Sequence, residues 1–224
     1  MDVIKVSKII KSKRKTIAIE INKKAEIVVK APCNVPDEIV WDFVNKKIEW
    51  IKRKQYLVRQ RNNSKIQREF VQGEGFLYLG KIYKLNIVTD LSSPFEFKED
   101  FFLSSSYVDY ARDLFVKWYK ENALSEIKKS VEQYAFLRNL RYKKVRLSSG
   151  RCRLGSCSAK GNLNFNWRLI MAPQDIINYV VVHELMHLVE KNHSKRFWHK
   201  VSELFPNFKQ ARKWLRDNAY LLDI

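Results

Sequence analysis

Alternating and β-branched positions dominate the start of the chain. Val3-Ile4, Ile9-Ile10, Thr16-Ile17-Ala18-Ile19 and Ile27-Val28-Val29 are separated by short polar breaks, which predicts two or three antiparallel strands ending at Ala31-Pro32. Beyond Pro36-Asp37, apolar residues at Ile39, Val40, Phe43, Ile48 and Ile51 approximate a 3.6-residue period. Asp37-Glu38 suit a helix N-terminus, so a helix is expected there, trailing into Lys52-Arg53-Lys54. Gly73-Glu74-Gly75 then opens a run from Phe76 to Leu85 that reads as a hairpin turning at Gly80-Lys81, with further strands to about Leu103. A helical pattern over roughly 106–137 follows, with Leu114, Trp118, Ile127, Val131 and Tyr134 as candidate core positions.

In the last third, Val145-Arg146-Leu147 is a short strand candidate and Ser148 to Gly161 a Gly/Ser-rich turn region. Leu163-Asn164-Phe165-Asn166-Trp167 alternates as a strand with one polar face. Pro173 sits where a helix begins, and that helix carries Ile176, Ile177, Val180 and Val181 and should stop near Asn192. The pattern is α+β. It divides into N-terminal strands plus a helix (1–70), a hairpin and long helix (71–140) and a C-terminal core (141–224), expected to form one continuous unit.

The C-terminal helix also carries chemistry. His183-Glu184-Leu185-Met186-His187 places two histidines four residues apart, on one helical face, as a tetrahedral zinc requires of two imidazoles. Glu184 lies about 100° around the helix, out of reach of the metal but suited to act as general base on a water bound there. A catalytic zinc takes three protein ligands and keeps one position open. His193 is the natural third, but a continuing helix would carry it a further ~10 Å along the axis, so the helix must break between Lys191 and His193. Asn192 tolerates a left-handed C-cap and Ser194 can cap a following helix. All four histidines fall between His183 and His199, and His199, six positions further on, is read as a surface or supporting residue.

With 224 residues and 46% hydrophobic composition the chain can bury a core without disulfides. Three cysteines, Cys33, Cys152 and Cys157, form no disulfide framework and fit a reducing compartment, so a cytoplasmic location is expected. No apolar run is long enough for a membrane helix and Met1-Asp2 leads into Lys11-Ser12-Lys13-Arg14-Lys15 with no apolar signal region, so neither secretion nor an anchor is expected. The net charge of +19 is concentrated at the two ends: residues 1–70 hold 18 Lys+Arg against 8 Asp+Glu, and residues 141–224 hold 16 against 6. Such a field can hold DNA, RNA or another acidic partner.

Three stretches together resemble the YgjP-like metallopeptidases, relatives of the SprT-like and WLM zinc peptidases. They are Arg151-Cys152-Arg153-Leu154-Gly155-Ser156-Cys157-Ser158, Leu163 to Trp167, and Tyr179 to His187 continuing through Asn192-His193-Ser194 to Phe197-Trp198. A looser likeness takes in Pro32, Trp50-Ile51 and Gly73 to Leu85. The resemblance implies a zincin-like core, an antiparallel sheet packed on the active-site helix, with a β-rich N-terminal part and a long middle helix. It implies zinc held by His183, His187 and His193, catalysis by Glu184, and a protein or peptide substrate, with proteins associated with nucleic acid as one class. Leu154 departs from the pattern, which has Trp there. In peptidases of this architecture a strand before the metal helix borders the cleft and pairs with an extended substrate. Leu163–Trp167 is the candidate strand, and Asn164, Asn166 and Ser156 are candidate substrate-binding residues, while Cys152 and Cys157 read as buried or turn thiols.

Three alternatives stay open on the sequence. A YbeY-like endoribonuclease shares the histidine spacing but has no acid at the position of Glu184. Peptide deformylase adds an upstream cysteine ligand, for which Cys157 would serve, yet leaves His193 superfluous. A non-catalytic basic module with structural zinc would need a fourth protein ligand.

Overall fold

The β-branched N-terminal segments form strands because alternate side chains can be buried on one face. In a computed structural model of the chain, which describes residues 5–22, 24–63, 68–150 and 153–224, the molecule divides into two compact units, residues 1–65 and 66–224. Val3-Ile4 and Arg151-Cys152 lie outside the described residues.

In the first unit, β1 (Val6–Ser12), β2 (Ala18–Ile21) and β3 (Ile27–Pro32) form a sheet in the order β1-β3-β2. It is mixed, not wholly antiparallel: β3 slots between the two earlier strands, antiparallel to β2 and parallel to β1. Ile27, Val29 and Ala31 alternate into a core completed by Val40, Val44 and Ile51. The single helix expected after Pro36 is two, α1 (Asp37–Asn45) and α2 (Ile48–Asn63), separated by a tight turn in which Lys47 N donates to Val44 O at 3.0 Å. The turn brings Ile51 under the sheet and leaves Ile39 at 54% exposure.

The second unit begins with β4 (Gly75–Tyr78), β5 (Lys81–Val88), β6 (Phe95–Phe97) and β7 (Phe101–Ser104), ordered β4-β5-β7-β6. Tyr78 pairs with Lys81, so the hairpin turns one residue earlier than expected, at Leu79-Gly80. Both turn residues have positive φ, 48° and 80°, the twist that a two-residue hairpin needs. Gly80 is required twice over, since a Cβ there would lie 2.7 Å from the Pro173 side chain. The turn is fastened by Leu79 N to Ile170 O (2.8 Å) and Gly80 N to Met171 O (3.2 Å), on the 3-10 segment Trp167–Met171.

A second 3-10 segment, Ser105–Tyr110, leads into α3 (Ala111–Leu137), the long middle helix. Ile127 and Val131 are fully buried along it, and Leu114, Trp118 and Tyr134 pack at the core's margin. Phe115 and Tyr119 meet the rings of Phe76 and Phe101, and the Tyr119 hydroxyl donates to Leu77 O at 2.6 Å. Burial in this aromatic layer drives the Tyr119 pKa far above its ordinary value.

Next come β8 (Lys144–Ser148), β9 (Gly155–Cys157) and β10 (Asn162–Asn166), then α4 (Gln174–Met186), α5 (Lys195–Leu204) and α6 (Phe208–Asn218). The turn region expected before β10 contains β9. This sheet is also mixed, ordered β8-β10-β9, with β10 parallel to β8 and antiparallel to β9. Within this unit α3 runs along α4, where Ser130 Oγ donates to Asn178 Oδ1 (2.8 Å) and Gln174 Nε2 joins the same oxygen (3.1 Å). Ile176, Ile177, Val180, Val181, Val182 and Leu185 bury α4 on every side, as befits a central helix. No helix among the described residues is long and apolar enough to cross a membrane.

Candidate metal centre

Helix α4 starts directly after Pro173, whose fixed φ suits a helix entry. It ends at Met186, six residues short of the expected stop near Asn192, and Asn192 does not take a left-handed conformation. The chain instead turns at once: Leu188 N donates to Leu185 O (3.0 Å), and Lys191 Nζ caps the His187 carbonyl at 3.0 Å. Ser194 then caps α5, its hydroxyl accepting from Phe197 N at 3.3 Å. This early turn folds His193 back onto α4.

The three imidazoles meet. Their ligand atoms lie within 4.8 Å of one another, and His183 Nε2 and His193 Nε2 are 2.9 Å apart. A tetrahedral zinc at about 2.0–2.1 Å from each nitrogen spaces its ligands by ~3.3 Å, so the donor set fits one such ion with little adjustment. The outer nitrogens of His187 and His183 face partners. His187 Nδ1 lies 3.0 Å from Glu190 O, an oxygen that can only accept, so Nδ1 carries the proton and Nε2 presents its lone pair. The Tyr179 hydroxyl, one helical turn before His183, lies 3.5 Å from His183 Nδ1.

Phe197 forms the floor, its fully buried ring 4.9, 4.6 and 4.8 Å from His183, His187 and His193. Trp198 stacks on His193 at 5.5 Å, packs against Phe208 on its own side of α6, and carries the Arg212 guanidinium 4.3 Å over its ring. Burial pulls the His183 pKa down to about 3, helped by His187, His193 and Arg212. His193 is lowered for the same reasons, burial first. Both are therefore neutral at neutral pH, the form that binds a metal.

Glu184 is 6% exposed and lies beneath β9: a Cβ on Gly155 would stand 2.6 Å from Oε1. Burial pushes its pKa up to about 7, against the pull of Arg153. A carboxyl poised there exchanges a proton readily near neutral pH. Half-buried Cys157, also on β9, is raised by burial and stays a thiol; among the described residues it is not part of the metal cluster, and neither is His199, which is 76% exposed beside Glu203.

The candidate substrate strand, Leu163–Trp167, forms β10 and the start of the 3-10 segment that follows it. β10 is paired on both sides and has no edge to offer, whereas β9 is the edge strand that covers Glu184. Asn166 is 2% exposed, with Nδ2 donating to Gly150 O (2.6 Å) and Oδ1 accepting from Arg168 N (3.0 Å), so its amide holds the approach to β9. Asn164 and Ser156 are cross-strand partners of β10 and β9. Leu154, at the departure from the family pattern, packs against the core while its carbonyl accepts from Asn166 N. Sequence reasoning gave no role to Gly155, Phe197, Arg153 or Arg212. Only the i,i+4 spacing of Tyr179 to His183 was there to be read.

The opposed shifts predict a pH signature for the metal-free protein. His183, lowered from 6.5 to about 3, contributes stability that is complete above pH 6.5 and is lost as pH falls toward 3. Glu184, raised from 4.5 to about 7, contributes stability that is complete below pH 4.5 and is lost as pH rises toward 7. Each slope is about 1.4 kcal/mol per pH unit, and they oppose between 4.5 and 6.5. Urea unfolding across that window should climb more steeply with pH for Glu184→Gln than for the wild type. Parallel curves for the two proteins would show that Glu184 does not titrate near 7.

No curated protein matches the chain. Among solved structures, the metallopeptidase zymogen of Pyrococcus abyssi abylysin aligns over 40% of this chain and 93% of its own, at 21% identity and a TM-score of 0.37. The YgjP-like metallopeptidase domain matches residues 15–218, nearly the whole sequence and the entire histidine cluster. The chain belongs to the YgjP-like metallopeptidase family.

Proposed function

We propose that this metallopeptidase is zinc-dependent, with His183, His187 and His193 holding the metal and Glu184 serving as general base and then general acid. The observation that supports it is the convergence of three imidazoles within 4.8 Å, with a buried carboxyl on the next helical position. When bound, zinc supplies Lewis acidity, polarising the scissile carbonyl and acidifying a water. Glu184 takes a proton from that water and delivers it to the departing amine, a pair of transfers favoured by a pKa near neutrality. The β9 edge, Gly155–Cys157, offers backbone groups to an extended peptide and sets it over Glu184. Ser156, one of the candidate substrate-binding residues, lies on that edge.

We place its substrates among nucleic-acid-associated proteins in the cytoplasm. A cavity of about 640 Å³ in the N-terminal unit, lined by Lys5, Lys24, Lys52 and Arg59 against the one acid Glu26, beside the exposed ring of Tyr56, supports this, since an excess of cations and an open aromatic face suit phosphates and bases. Purified protein should carry about one zinc per chain, lost in His193→Ala. Profiling of new protein N-termini in cells, wild type against Glu184→Gln, should give cleavages specific to the wild type and enriched in nucleic-acid-binding proteins. Absence of any wild-type cleavage would sink the peptidase assignment; cleavage without that enrichment would sink only the substrate class.

A further inference from the structure

The β9–β10 hairpin carries Lys160 at its tip, and Arg141-Tyr142-Lys143 run beside it into β8. With Leu188 and Lys191 they line a basin of about 360 Å³. Every charged residue in that lining is a cation: Arg141, Lys143, Lys160 and Lys191. Among the described residues, Arg141, Lys143 and Lys160 make no ion pair, and Lys191 gives Nζ to the His187 carbonyl. A concave surface holding four like charges with no counter-charge disfavours itself electrostatically and favours an anion.

The basin adjoins the metal centre. Leu188 and Lys191 belong to the turn between the ligands His187 and His193, and Cys157, at the end of β9, lies within electrostatic range of both Glu184 and Lys191. The line from Glu184 along β9 therefore leads past Cys157 into the basin. We propose that this basin is a specificity subsite for an acidic side chain of the peptide substrate; the inference rests on the peptidase reading above. A peptide laid along β9 rises about 3.3 Å per residue, so a residue roughly three positions from the scissile bond reaches Lys143 and Lys160. A carboxylate fits this place better than a nucleic acid does. The basin is short, and it offers a single aromatic ring, the partly buried Tyr142, where a run of bases needs a series of stacking faces.

The test reads binding without cleavage. Zinc-loaded, full-length Glu184→Gln is titrated against a fluorescein-labelled dodecapeptide of Ala, Leu and Ser carrying three adjacent Glu, and against its Gln twin. The Glu peptide should bind about tenfold more tightly at low salt, and less so at high salt, as exposed charges dictate. Adding Lys143→Ala and Lys160→Ala, both exposed positions, should bring the ratio below about twofold. Equal binding of the twins, or a preference that survives the added changes, overturns the subsite. So does an oligodeoxynucleotide that binds more tightly than the Glu peptide and loses affinity with the same two lysines. If the preference holds but wild-type enzyme cleaves neither peptide nor any cellular protein, the peptidase reading fails and the anion site stands.

Discussion

Glu184→Gln keeps the fold and the metal while peptidase kcat/KM falls by about 10²–10⁴, the range that a positioned proton-transfer group contributes. The substitution is nearly isosteric, so the tight fit beneath Gly155 is preserved. It removes only the ability to accept and return a proton. Unlike alanine, it opens no cavity in a position that is 6% exposed. Zinc content by mass spectrometry and kinetics on one cleavable peptide check both halves. A variant with full zinc and wild-type turnover would remove Glu184 from the mechanism.

Gly155→Ala is expected to be nearly as damaging, without touching a ligand. The added methyl would stand 2.6 Å from Glu184 Oε1, 2.7 Å from Cγ and 2.9 Å from Cδ. The Gly155 backbone is not in the left-handed region, so the conflict is purely one of contact. Glu184 is enclosed on α4, which leaves β9 to yield, and with it the edge that the substrate pairs with. Overpacking of this kind costs about 1–3 kcal/mol, and a displacement of about 1 Å at a reacting group costs on the order of 10² in rate. Gly150→Ala is the control, with no atom within 4 Å of its added carbon. Unfolding and kcat/KM are measured for both. If Gly155→Ala matches Gly150→Ala in both, β9 does not confine the carboxyl.

What the sequence could reveal follows from what is local. The i,i+4 spacing of His183 and His187 is a property of one helix, and the need for a turn before His193 follows from helical rise alone. The place of that turn was misread because Lys191, not Asn192, terminates α4, by capping a carbonyl. β9 is three residues, Gly-Ser-Cys, too short to show alternation, and exists because β10 offers it an edge. Leu79 is an unlikely turn residue by type, yet the neighbouring Pro173 and the carbonyls of Ile170 and Met171 hold the hairpin there. The parallel pairing of β1 with β3 depends on strand order, which no local pattern encodes.

The ladder from α6 through Trp198 to His193 bears on how small a working fragment of this enzyme can be. A peptide cut after His199 would retain every candidate ligand and Glu184. It would lack Phe208, stacked on Trp198 at 5.5 Å, and Arg212, set 4.3 Å above the same ring. His193 is exposed, and Trp198 is stacked on its ring. The minimal catalytic fragment is therefore bounded by α6, well beyond the last residue that touches the metal.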